Sequence, residues 1–488
     1  MNLYDLAREH ALIASSAEVL GWDQETFLPE AAATHRASQL AWLTAKAHEL
    51  ATSDAWKRAL SGAEASDDRS NPTYSANLRE LRRRFHRATK LPVELVSREA
   101  HVSSLGKHAW AAAREASDFT VFAPHLEKLV AIAREKADRW GYPDEPFDAL
   151  LDTYERGATT RNVAGLFDTL RPKLRAIADC AVDHSSRRSA RLPAGPYPIE
   201  QQQKLNEAVA RSLGFDFTAG RIDTTAHPFC TTLGPRDVRL TTRYDENDFT
   251  SSLFGVMHEA GHGLYEQGLP AADFGLPSGE AVSLGIHESQ SRLWENHIGR
   301  SDAFWWKWFP IACDHFPQLR SISLEDFLEV IRRSEKSFIR VEADEATYDL
   351  HILLRFDLER ALIRGDLKVN DLPAAWNERF HALFGMTPPD HKHGCLQDIH
   401  WSMGGIGYFA TYTLGNLNAA QLFEAAKRQP AVATGIGNGD YAPLLAWLRK
   451  HVHAQGGTLD PAELIRHATG ATPNADAYLA HLNTRYCG

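Results

Sequence analysis

His258, Glu259 and His262 form the triplet His-Glu-x-x-His. Histidines four residues apart share one face of a helix, so both imidazoles can meet a single metal ion. A glutamate beside the first of them is placed to take a proton from a water on that ion. This is the chemistry of a metallohydrolase. Zn2+ is the ordinary occupant, and Co2+ or Mn2+ can fill similar sites. The same triplet also occurs in helices whose histidines are merely packed, so it needs support from elsewhere in the chain. A catalytic zinc takes three protein ligands and keeps one position open. The longer pattern His-Glu-x-x-His-x-x-Gly-x-x-His would supply the third locally, but Tyr265 and Gly268 stand where its Gly and last His belong. The third ligand therefore comes from downstream. Glu280, His287, Glu288, Glu295 and His297 are the candidates, and spacing does not choose among them.

The elements that must position these groups are mostly helical. Leu253, Met257, Ala260, Gly261 and Leu264 recur at helical spacing, and Gly268 followed by Pro270 is a stop signal, which predicts a buried helix over 253–268. Just before it, Pro228 to Tyr244 alternates in two β-branched runs around Gly234-Pro235 and predicts a β-hairpin, whose edge could pair with an extended peptide. Residues 2 to about 50 read as helix, a break at Gly21 to Pro29, and helix again. Leu78 to Lys90 sets a basic, solvated face over an apolar seam of Leu78, Leu81 and Phe85. Helical patterning continues over Phe122 to about Trp140, over Arg161 to about His184, and from 280 nearly to the end, including the segment from Arg340 to Tyr348. Ser61 to Pro72 and Arg187 to Pro198 read as loops. The expected fold is mainly α, one large domain over 1–488 with a small β-hairpin.

Composition sets the outer limits. The chain has 488 residues, 43% of them hydrophobic, which suffices for a large core. No apolar run approaches the roughly 18 residues of a membrane span, and Met1 to Arg8 lacks a basic-then-apolar leader, so the expected location is the cytoplasm. A net charge of -10 argues against a nucleic-acid surface, and no membrane partner is expected. The five cysteines, at 180, 230, 313, 395 and 487, are scattered without a Cys-x-x-Cys pair, which predicts neither a disulfide nor a cysteine-rich zinc site.

Several further segments stand in a telling order: His227-Pro228-Phe229, Asp237-Val-Arg239-Leu-Thr241-Thr242, His258-Glu-Ala-Gly-His262, His287-Glu288-Ser-Gln290, Ile339-Arg340-Val-Glu-Ala343-Asp344 and Gly394-Cys-Leu-Gln397-Asp398-Ile-His400-Trp401. With Trp22-Asp23-Gln24, Gly407-Tyr408-Phe409, Tyr412-Thr-Leu-Gly415 and Ala468-Thr469-Gly470, the chain resembles the carboxypeptidase Taq family over essentially its whole length. It departs from the family pattern at Ala410, where the family has Pro, and at Phe27-Leu28, where the family has Met-Met. The resemblance implies a zinc carboxypeptidase acting on peptides with a free C-terminus, with Glu288 as third ligand. It also implies a nearly all-helical, zincin-like fold with a deep groove, assembled as a homodimer. The alternative is a zinc endopeptidase or oligopeptidase on a similar helical fold.

Hydrolysis also needs a donor for the developing oxyanion, for which Tyr412 is the first candidate, with Tyr408 and His400 behind it. A carboxypeptidase must further hold the substrate α-carboxylate, a role suited to arginine. Two arginines lie in the family segments, Arg340 and, with His227 nearby in sequence, Arg239. Either could instead form a structural pair, Arg340 with Asp344 at i,i+4 and Arg239 with Asp237 or Glu246.

Overall fold

The computed structural model describes residues 2–66 and 70–488. Its contacts cluster in two units, and in both the secondary structure is almost entirely helical, as the periodicity requires. The first unit comprises Met1–Ala88, Ala190–Ile331 and Gly415–Asn474; the second comprises Thr89–Ser189, Arg332–Leu414 and Ala475–Gly488. No helix among the described residues is long and apolar enough to cross a membrane.

At the centre of the first unit lies the helix Phe249–Gly268. Asp248 caps it, its carboxylate accepting from the Thr250 amide at 2.9 Å, and Leu269-Pro270 end it. Its apolar side, with Phe249, Leu253, Val256, Met257, Ala260 and Leu264, is buried in a large core with the helices Ile199–Leu213 and Asp302–His315. The predicted hairpin is present: β2 (Cys230–Gly234) runs antiparallel to β3 (Asp237–Thr242), and Arg236 adopts a left-handed φ of 63° in the turn. Sequence reading missed β1 (Gly220–Thr224), which pairs parallel to β3 and makes β3 the middle strand. Val238 and Leu240 of β3 pack into the same core.

The helix Leu284–Arg292, capped by Ser283, crosses the metal-motif helix at backbone contact and runs directly into a π turn, Leu293–Ile298. Glycine permits this approach. A Cβ on Gly261 would come within 2.5 Å of Ser291 Cα and 2.6 Å of the Gln290 carbonyl oxygen. From a third segment, a Cβ on Gly415 would lie 2.6 Å from Glu288 Cγ.

In the second unit the long helices Val93–Ala116, Phe119–Trp140 and Thr160–Ser186 accompany Tyr348–Arg364, Leu372–Phe384 and the C-terminal Asp476–Tyr486. Here several expectations need correction. Cys180 and Cys487 form a disulfide with 5.9 Å between their Cα atoms. Their separation of 307 residues gave sequence spacing nothing to register. Arg340 to Tyr348 is not helical: a short 3-10 turn, Arg340–Glu342, precedes a helix that begins only at Tyr348. The Asp344 carboxylate accepts from the amides of Ala346 and Thr347, as a helix cap does, and from Glu335 upstream, so regular helix begins only beyond it. In the first unit, helix Leu3–Thr26 continues through Gly21, so the break narrows to the residues around Pro29. The expected loop at Ser61 to Pro72 starts later, because helix Asp54–Ala65 covers its beginning; positions 67–69 of that expectation lie outside the described residues.

The crossing at Gly261 yields a direct expectation. Gly261→Ala forces the two helices apart and should cost about 1–3 kcal/mol of stability. It should also weaken metal binding through Glu288, both read from unfolding curves taken with and without metal. An alanine variant with wild-type stability and metal affinity would show that the crossing has slack.

Candidate metal centre and active site

His258 and His262 sit one turn apart on helix Phe249–Gly268, and Glu288 reaches them from Leu284–Arg292. Glu288 Oε2 lies 3.6 Å from His258 Nε2 and 3.4 Å from His262 Nε2, and one ligand atom from each residue falls within 4.8 Å of the others. Atoms held at about 2.0–2.1 Å by one tetrahedral ion stand roughly 3.4 Å apart, so the spacing of Glu288 from the two histidines suits a single such ion.

The surrounding hydrogen bonds fix which nitrogens face inward. His258 Nδ1 is 2.9 Å from Glu295 Oε2; a carboxylate only accepts, so Nδ1 carries the proton and Nε2 offers its lone pair. His262 Nδ1 faces the His287 carbonyl oxygen at 3.0 Å, again an acceptor, and by the same argument its Nε2 is free. His287 Nδ1, 2.6 Å from that same N–H, then accepts, and its Nε2–H donates to Glu266 Oε1 at 2.8 Å. Thr232 of β2 closes the chain on the other Glu266 oxygen at 2.9 Å. Glu288 is itself held: Arg292 Nε donates to Oε1 at 2.7 Å and Ser291 Oγ to Oε2 at 3.0 Å, which leaves Oε2 as the oxygen turned to the histidines.

Charge follows from this packing. Burial alone would raise the Glu288 carboxyl, but Arg292 and His258 outweigh it and hold the group well below the usual range. Glu295 is held near 2 by the same neighbours, again against burial. His258 is lowered by burial, yet Glu288, Glu295 and Glu259 outweigh that and lift it to about 9. The carboxylates that retain a proton there are the charges a divalent cation would meet. Burial, with His287 adding, pushes His262 down to about 4, so it is neutral at pH 7 as a ligand must be. Glu259 is only 7% exposed; burial, reinforced by Glu288 and Glu295, raises it to about 7.

Of the other candidates, Glu280 is turned to Arg84 at 2.6 Å, and His297 is buried with its ring 5.0 Å from Phe423. Sequence reading treated Glu295 and His287 only as possible ligands and missed Arg292 and Glu266. Arg292 and Glu295 follow Glu288 at four and seven residues, a helical spacing that could have flagged both. Arg239 lies on β3, its Nε and Nη2 donating to Asp237 at 2.9 and 3.0 Å and its guanidinium 4.1 Å over Trp22. His227 is exposed.

A second group of predicted residues comes together in the other unit. Arg340, 5% exposed, does not pair with Asp344: its Nε and Nη2 donate to Asp398 Oδ1 at 2.9 and 2.8 Å and its Nη1 to the Tyr348 hydroxyl at 2.8 Å. Arg355, fully buried and unforeseen, holds the other Asp398 oxygen at 2.6 Å. The Arg340 guanidinium lies 5.1 Å from the Tyr412 ring centre, and the Tyr412 hydroxyl is 3.4 Å from His400 Nε2. Tyr408 packs against both, with ring centres 5.4 Å from Tyr412 and 5.1 Å from His400. Burial, with Arg340 and Arg355 adding, lowers His400 to about 4, so its ring is neutral at pH 7.

Replacing Glu295 by Gln leaves His258 Nδ1–H with a weaker acceptor, and should loosen metal about 10- to 100-fold in a chelator competition. Glu288→Gln should loosen it further, since an amide is a far poorer ligand than a carboxylate. Full metal affinity in the Glu288 variant would reassign the third ligand.

The profile of the carboxypeptidase Taq (M32) metallopeptidase family matches residues 2–486. The chain is 42% identical to thermostable carboxypeptidase 1 of Thermus thermophilus, covering 99% of this chain and 98% of that one. It is 35% identical to carboxypeptidase 1 of Bacillus subtilis, covering 99% and 97%. Among solved structures it resembles the M32 carboxypeptidase of Deinococcus radiodurans, with a TM-score of 0.94, 38% identity and coverage of 99% and 98%. It also resembles metallocarboxypeptidase 1 of Trypanosoma cruzi, with a TM-score of 0.96, 34% identity and coverage of 100% and 99%. On a match that spans both units, the chain belongs to the carboxypeptidase Taq (M32) family of metallopeptidases.

Proposed function

We propose that this protein is a zinc-dependent carboxypeptidase that releases single amino acids from the free C-terminus of peptides, the whole chain 1–488 serving as one metallocarboxypeptidase domain. The observation that carries the reading is the three-ligand cluster of His258, His262 and Glu288 with Glu259 buried on the same helix. One Zn2+ per chain fits it, with Co2+ or Mn2+ able to substitute. When bound, such an ion lowers the pKa of a water and polarises the scissile carbonyl.

Glu259 is the general base. It takes the proton of the attacking water and later delivers it to the leaving amine, a role suited to a carboxyl raised to about 7. Tyr412 is assigned the second oxyanion donor, with His400 and Tyr408 behind it. Arg340 is the better anchor for the substrate carboxylate: three of its five N–H donors are used by Asp398 and Tyr348, so two remain on a desolvated guanidinium. Arg239, already bidentate on the half-exposed Asp237, and His227 are assigned to substrate binding nearer the sheet. A homodimer and a cytoplasmic location complete the reading, with no nucleic-acid or membrane partner.

Glu259→Gln keeps size and reach but cannot accept the proton, so kcat should fall about 10^2- to 10^4-fold while metal stays bound. Unchanged turnover would end the mechanism. Arg340→Ala should cost about 2–4 kcal/mol in kcat/KM on free-acid peptides, and little on C-terminally amidated ones, which the parent enzyme should already cut poorly. If Arg239→Ala shows that pattern and Arg340→Ala does not, the anchor is Arg239.

A further inference from the structure

Glu359 belongs to none of the groups above, yet it is 1% exposed and carries a carboxyl in the middle of helix Tyr348–Arg364. A buried carboxyl is costly unless both oxygens are satisfied. Its partners are specific. Oε1 accepts from the Trp401 indole N–H at 2.7 Å, and Oε2 accepts from the Gly407 backbone N–H at 3.0 Å. Trp401 directly follows His400, and Gly407 directly precedes Tyr408. One carboxyl group therefore grips both ends of the segment that carries His400 and leads into Tyr408 and Tyr412.

Between those two grips the segment has no long regular element. A short 3-10 turn, His400–Met403, is followed by irregular chain closed by local bonds, such as Gly405 N–H to the His400 carbonyl oxygen at 2.9 Å. Gly407 adopts a φ of 94°, and a Cβ there would come within 2.9 Å of the Leu150 carbonyl carbon, so this turn requires glycine. Tyr154 packs edge-on to Tyr408 at 5.2 Å from the far side, and Arg355 stands one turn before Glu359 on its own helix.

We infer that Glu359 is a positioning residue for hydrolysis, setting the placement of His400, Tyr408 and Tyr412 through its hydrogen bonds to Trp401 and Gly407. The inference rests on the assignment of Tyr412 as oxyanion donor made above. Glu359 touches no substrate and acts only through the segment it holds.

The test uses the metal-loaded enzyme and a free-acid peptide. Glu359→Gln preserves volume, but whichever way the amide turns, its NH2 meets an N–H donor of Trp401 or Gly407. Trp401→Phe removes one donor while keeping an aromatic ring. Glu359→Gln should lower kcat about 10- to 100-fold and Trp401→Phe about 3- to 10-fold, with KM within about threefold and bound metal unchanged. Tyr412→Phe should itself lower kcat about 100-fold, and in that background Glu359→Gln should cost less than about twofold more. Full kcat in Glu359→Gln, an equal loss in both backgrounds, or a loss that tracks bound metal or the unfolding midpoint would overturn the positioning role. Full kcat in Tyr412→Phe would instead overturn the assignment of Tyr412, and this inference with it.

Discussion

The structure of the first unit depends on keeping one carboxylate, that of Glu288, ionised in a nearly dry place. At 6% exposure a carboxylate survives only when opposite charge and hydrogen bonds surround it. Arg292 and Ser291 supply these from its own helix, and His258 and His262 supply the rest from the neighbouring one. The two helices must then touch at their backbones, which explains the absence of a side chain at Gly261, and the third segment comes against Glu288 itself at Gly415. The next layer, with Glu295 behind His258 and the relay of His287, Glu266 and Thr232 behind His262, orients the imidazoles that the carboxylate has drawn in. Removing one partner would leave a buried charge uncompensated, so the cluster behaves as a unit.

What could be read from the sequence divides along the range of the interactions. The metal-motif helix was legible because its candidate ligands, apolar stripe and stop signal lie within some twenty residues, and the hairpin because alternation and Gly-Pro are local signals. The approach of Glu288, among five downstream candidates, to the two histidines was not, since it is made by a helix crossing that spacing does not encode; only the resemblance to a family pointed there. The segment that follows Arg340 was misread as helix for a related reason. Val341 to Ala346 has the composition of a helix, yet the Asp344 side chain caps the helix that follows and leaves Arg340 outside it, where it finds its partner 58 residues away in Asp398. The Cys180–Cys487 pair and the role of Glu359 are likewise contacts between distant segments. Arg292 is the exception, a missed residue whose i,i+4 relation to Glu288 was visible all along.

The two units divide the chemistry. The proposed metal ligands and the proposed base are gathered in the first, whereas the buried set of Arg340, Arg355 and Asp398 with His400 and Tyr412 belongs to the second. The residues of the second suit recognition and charge stabilisation. A desolvated guanidinium with spare donors matches an anionic group, and a neutral histidine beside a tyrosine can donate to a developing oxygen anion. The family match extends through both, which is why these residues are read as parts of one enzyme.

The central claim is metal-dependent removal of residues from a free C-terminus, and mass spectrometry of the products from one unlabelled peptide tests it most directly. The enzyme would be stripped with a chelator and then titrated with Zn2+. The carboxypeptidase reading predicts no cleavage when stripped, and a ladder of single C-terminal losses that returns and saturates at one Zn2+ per chain. Internal fragments cut equally well from free-acid and amidated peptides, or cleavage that survives complete removal of metal, would contradict it.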